Sequence, residues 1–224
     1  MIYKKFFREY IEGKVPSAVF LSSLFDEKIA LYEWLQTIVP TGKMYRMCHA
    51  HVNEYGQNAH VLGVSPYDVR NVINHLLSIC RGQVNCTHYY IHRELSSLWK
   101  ESFPGDEIEI SDYYRERFFL ELDFIPRYIG GTAIYEHKII DDILDSIPKQ
   151  LSQAEQRNWC QDQVNRIFHL EDGKHPYWRE EPAWPVGEGH NPMRFLLQEN
   201  ENEVHLYLFQ DVTTGEVHKV IQVG

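Results

Sequence analysis

The hydrophobic positions along this chain fall into two regimes, a helix-spaced one through most of its length and an alternating one at its C-terminal end. DEKIALYEWLQTI, from Asp26, places Leu31, Trp34, Leu35 and Ile38 on one side of a helix that Pro40 and Gly42 end. Tyr45 to Leu62 alternates irregularly and predicts one or two strands around a Glu54-Tyr55-Gly56-Gln57 turn. Ser65 then reads as an N-cap with Pro66 at the first helical position. Val69, Val72, Ile73, Leu76, Leu77 and Cys80 follow as an unbroken stripe, with Gly82 as its stop.

Thr87 to Trp99 predicts a further helix, broken at Phe103-Pro104-Gly105. EIEIS is a strand candidate, and YYRERFFLELDFIPRYIGG fits strand or helix. His137 to Ile147 aligns Ile139, Ile140, Ile143, Leu144 and Ile147 before Pro148. Ser152-Gln-Ala-Glu155 spells a capping box opening a helix with Cys160, Val164, Ile167 and Phe168 inward.

The tail has the clearest pattern. MRFLLQ, EVHLYLF and EVHKVIQV predict a three-stranded antiparallel meander. The polar run Glu199-Asn200-Glu201-Asn202 joins the first two, and Asp211 to Gly215 joins the last two. Both faces of the middle strand are apolar, Val204, Leu206 and Leu208 against His205, Tyr207 and Phe209. That predicts cover on both sides. The fold class expected is α+β, several helices packed on a mainly antiparallel sheet. A helix-rich portion over 1–105 and an acidic portion over 106–224 are expected, as two domains or as one compact domain.

Composition narrows the function. The 224 residues are 43% hydrophobic and 24% charged, ordinary for a globular protein. No apolar run approaches the roughly 20 residues of a membrane span, and the charged N-terminus lacks a signal-peptide pattern. Cys48, Cys80, Cys86 and Cys160 are scattered and read as reduced thiols, so a cytoplasmic location is expected. Residues 1–100 carry 11 Lys+Arg against 8 Asp+Glu, whereas residues 101–224 carry 11 against 24. Such acidity disfavours nucleic acid and suits a basic protein partner.

Candidate chemistry is sparse. His49 and His51 share a strand face and make a metal pair if a carboxylate or another histidine joins them. Cys80, Cys86, His88 and His92 cluster, but C-x5-C-x-H-x3-H is not a common zinc spacing. Gly130-Gly131 lacks the lysine and helix start of a phosphate loop, and no G-x-S-x-G elbow occurs. The acid pairs Asp141-Asp142, Glu171-Asp172 and Glu180-Glu181 read as solvated surface. No catalytic residue and no cofactor is expected.

The remaining feature is the Trp-Pro entry to the meander, in which Trp184 is expected to anchor the loop on the body. Trp184, Pro185, Gly189, Pro192, Met193, Phe195 and Gln198 resemble the pattern of the YwqG-like family, a domain family of unknown function. This chain has two residues between Gly189 and Pro192 where the family has one. Phe209, Asp211 and Gln222 are similar in style to that family's later strands. Such domains recur among bacterial toxin-immunity loci, so the resemblance implies a protein that binds and neutralises a toxin, and it brings no catalytic residues.

Three expectations follow. The first is a non-catalytic immunity or antitoxin-type protein meeting a basic toxin through Glu180, Glu181, Trp184, Glu188, Glu199, Glu201 and Glu203. The others are a metal-dependent enzyme using His49 and His51, and a small-molecule module with its pocket beneath the Trp184 loop.

Overall fold

The computed structural model describes residues 2–50, 59–80, 84–170 and 172–223. The fold is α+β, and the chain divides into two compact units, 1–115 and 116–224.

In the first unit, residues 2–25, read above only for their charge, form α1 (Ile2–Ile11) and α2 (Ser17–Phe25). In α1 the charges take the outer side, while Phe7, Tyr10 and Ile11 return at helical spacing and are buried. The helix expected from Asp26 begins only at Leu31, as α3 (Leu31–Ile38). Asp26 instead closes α2, its N–H reaching the Ser22 carbonyl, while its carboxylate accepts from the Lys28 N–H at 2.9 Å. A short acidic side chain that satisfies nearby backbone favours such a turn over a helix interior.

Strands β1 (Met44–Ala50) and β2 (Ala59–Pro66) pair antiparallel from Met44↔Pro66 to Ala50↔Ala59. The expected turn at 54–57 lies outside the described residues. Ser65 and Pro66 therefore end a strand and do not open a helix. Helix α4 (Val69–Cys80) is capped by Asp68, whose carboxylate accepts from the Asn71 N–H at 2.8 Å. Its stripe buries Val69, Val72, Ile73, Leu76 and Cys80, while Leu77 is exposed. The expected stop at Gly82 lies outside the described residues.

Helix α5 (Val84–Ser102) contains the expected Thr87–Trp99 segment and ends before Phe103. EIEIS forms no strand and pairs with none among the described residues. Ile108 and Ile110 pack on the first core, and the Ser111 N–H reaches the Ile11 carbonyl at 3.0 Å. The alternation there reflects one wet and one dry side without a neighbouring strand.

The division between units falls inside α6 (Tyr113–Phe124), which takes up the first part of the ambiguous aromatic stretch; its remainder, 125–131, is neither helix nor strand. The second unit continues with α7 (Thr132–Glu136), α8 (Ile139–Asp145) and α9 (Gln153–Ile167). Arg117, buried on α6, pairs with Asp141 and Asp145 of α8 at 2.5 Å each. The capping box forms as read, Ser152 accepting from the Glu155 N–H while the Glu155 carboxylate accepts from the Ser152 N–H.

The tail is the predicted meander, β3 (Arg194–Glu201), β4 (Val204–Gln210) and β5 (Val217–Val223), antiparallel in that order. β3 runs further than expected, to Glu201, so the first hairpin turns on Asn202 and Glu203 alone, with Asn202 at φ 55. No helix among the described residues is long and apolar enough to cross a membrane.

Candidate partner-binding face

The three-stranded sheet has two unlike faces. Pairing and alternation put Phe195, Gln198, Tyr207, Phe209, Val220 and Gln222 on the inner one. Tyr207 and Phe209 are fully buried against Phe168 of the α9 C-terminus, Trp178 and Trp184. Trp184 is 1% exposed, its indole N–H donating to the Met193 carbonyl at 2.8 Å. Edge contacts with Phe168 and Phe209 flank the ring. The anchoring role expected of Trp184 is thus what the structure displays, and the ring offers no surface to a partner.

Gly130-Gly131, dismissed above as a phosphate loop, serves this anchor. The Gly130 carbonyl accepts from the Trp184 N–H, and Gly131, at φ 114, lies so close to 182–184 that a Cβ would meet the Trp184 nitrogen at 2.9 Å.

Residues 177–181 form a strap across the inner face, pinned by three side chains of the sheet. Gln198 accepts from the Tyr177 N–H and donates to its carbonyl. The Tyr207 hydroxyl accepts from the Arg179 N–H at 2.8 Å and donates to the Tyr177 carbonyl at 3.1 Å. Gln222 accepts from the N–H groups of Arg179 and Glu180 and donates to the Glu181 carbonyl at 2.7 Å. The strap is therefore paired through two side-chain amides and a phenol hydroxyl rather than through a fourth strand.

Asp211 plays a similar part at the far end of β4. Its carboxylate accepts from the N–H groups of Glu188, Thr213 and Thr214, which hold it below the usual carboxylate range. Gly187 passes so close that any side chain there would collide with that carboxylate. The residues that carried the family resemblance, Trp184 through Gln198 and then Phe209, Asp211 and Gln222, are thus spent on scaffold.

The outer face is the reverse. Register places Leu197, Glu199 and Glu201 of β3 beside Leu208, Leu206 and Val204 of β4. These in turn neighbour Lys219, Ile221 and Val223 of β5. The expectation that β4 is covered on both sides fails here. Leu197 and Val204 are each 42% exposed, Val223 58% and Ile221 61%, while Leu206 and Leu208 are half-buried. A contiguous apolar surface across three strands is the kind of patch that marks an interaction site. Around the β3–β4 hairpin it is bordered by Glu199, Glu201 and Glu203, all exposed; the sheet's bases, Arg194 and Lys219, lie towards the opposite end.

The acidic residues expected at a partner surface do not converge. Glu199, Glu201 and Glu203 share the hairpin end. Glu180 and Glu181 belong to the strap on the other side of the sheet, and Glu188 lies beside Asp211 at the other end. The apolar residues of the outer face were not singled out as a site. Alternation in all three strands names them, but it cannot say which face other elements cover.

His49 lies in β1, where the backbone register sets it opposite His60, and His51 lies outside the described residues. Among the described residues no three His, Cys, Asp or Glu side chains gather as a metal-donor group. No protein-family model, curated protein or solved structure matches the chain.

Proposed function

We propose that the protein is a non-catalytic binding protein of the immunity or antitoxin type, which docks a basic protein partner on the outer face of its C-terminal sheet. The observation that carries this reading is the uncovered apolar surface centred on Leu206 and Ile221, with three carboxylates and no Lys or Arg of the sheet around its hairpin end. Apolar burial supplies the affinity of such an interface, and the carboxylates speed encounter and set orientation. The surrounding unit has the same sign, with 10 Lys+Arg against 19 Asp+Glu over residues 116–224. A toxin as the partner is the specific form that the resemblance of the Trp184 loop supports.

The test is co-expression with the product of the adjacent gene. The expected result is a one-to-one complex in which the partner's toxic activity is lost and whose affinity falls as salt rises. An unchanged partner activity in molar excess of this protein would sink the reading. So would a stable homodimer that occupies the outer face and leaves it closed to the partner.

A further inference from the structure

A second feature lies in the first unit and is independent of the sheet. Cys80 ends α4 and Cys86 stands at the third position of α5, and the Cys86 thiol donates to the Cys80 sulfur across 3.3 Å. A disulfide holds its sulfurs about 2.05 Å apart, so bonding requires an approach of roughly 1.3 Å. Cys80 is buried in the helix stripe, but Cys86 is only half-buried and a small oxidant can meet it. The first turn of the 19-residue α5 also favours negative charge on a sulfur. The hydrogen bond from Cys86, with another from Thr87, holds the Cys80 thiol below its ordinary range against the opposing effect of burial.

We propose that Cys80 and Cys86 form an oxidisable dithiol that closes to an intramolecular disulfide on reaction with a hydroperoxide. Cys80 first loses its own proton to water, then takes the Cys86 proton along the hydrogen bond, and the Cys86 sulfur, now the thiolate, attacks the peroxide. An S–O bond forms, the O–O bond breaks, and the departing oxygen takes a proton from water to leave as water or an alcohol. Cys86 is then a sulfenic acid. The Cys80 sulfur attacks it, the S–S bond forms, the S–O bond breaks, and hydroxide leaves with the Cys80 proton as water. The two sulfurs give up two electrons and the peroxide accepts them. Cys160 is the internal control, since it is buried and its thiol is pushed up to about 11 by desolvation.

The experiment treats the reduced full-length protein with hydrogen peroxide, alkylates the remaining thiols and maps tryptic peptides. Cleavage after Arg81 separates the two cysteines, so a disulfide appears as a cross-linked peptide pair. The expected result is joint loss of alkylation at Cys80 and Cys86, a cross-linked pair two hydrogens lighter than its reduced halves, and full recovery with dithiothreitol. Cys160 stays alkylatable, reacting at least about tenfold more slowly. In the Cys80→Ser protein, Cys86 stops at a sulfenic or sulfinic acid. The proposal is overturned if wild-type Cys86 accumulates as sulfinic acid while Cys80 stays alkylatable. It is equally overturned if both survive the treatment or if either pairs with another cysteine.

Discussion

The two faces of the C-terminal sheet carry similar amounts of apolar side chain and have opposite fates. On the inner face every marked residue has a partner: Tyr207, Gln198 and Gln222 hold the 177–181 strap, and Phe209 packs edge-on against Trp184. On the outer face Val204, Ile221 and Val223 stand against solvent with carboxylates at their border. Buried polar groups must be satisfied, so the inner face needs particular residues at particular positions, and this makes it recognisable as a motif. An interaction surface needs only shape, apolar area and a sign of charge, which many sequences supply. The recognisable residues therefore describe the scaffold, and the proposed function rests on the unremarkable ones.

Breaking the inner face gives the largest effect. Trp184→Ala removes a fully buried indole and is expected to cost about 3–5 kcal/mol in denaturant unfolding. A loss under about 1 kcal/mol would show that the second core does not depend on its anchor. Gln222→Leu keeps the volume but strips the Glu180 N–H and the Glu181 carbonyl of their partner and leaves the Arg179 N–H to the Tyr207 hydroxyl. About 1–3 kcal/mol is expected, with faster hydrogen exchange at Glu180, a smaller rise at Arg179 and little change in α9. Unchanged exchange at those amides would mean that the strap is held by something else.

The Asp211 knot sharpens the comparison through pH. Its folded carboxyl lies below the unfolded value of about 3.9, so its stabilisation is present above that value and is lost as pH falls through the folded value. The stability gap between wild type and Asp211→Asn should stay constant at neutral pH and narrow as the pH drops below about 4. A gap independent of pH would show that the ionised carboxylate is not what the three N–H groups require.

Much of this scaffold was legible beforehand, because its signals are local. The Ser152–Glu155 capping box, the Val69–Cys80 stripe and the three alternating strands each declare themselves within a few residues. What was missed depends on neighbours. SAVFLSSLF of α2 has apolar residues around most of its circumference and so no clear period, although Phe20 and Leu24 are buried in the first core. Ser65-Pro66 has the form of a helix start but pairs with β1, and the acid that caps α4 comes two residues later. The candidate face was hidden for the same reason. Leu206 and Tyr207 look equally buried in a sequence, and only the placement of the strap and α9 decides that Tyr207 is covered.

The smallest effect on stability is expected on the outer face, where the partner is proposed to dock. Ile221→Ser and the charge reversal Glu199→Lys should each leave unfolding within about 0.5 kcal/mol of wild type. The decisive measurement is the affinity of these two variants for the adjacent gene's product, by calorimetric titration beside Gln222→Leu. A weakening of about tenfold or more for both outer-face variants, with Gln222→Leu binding as wild type once folded, is the predicted result. Wild-type affinity in both outer-face variants would contradict the claim that this face receives the partner.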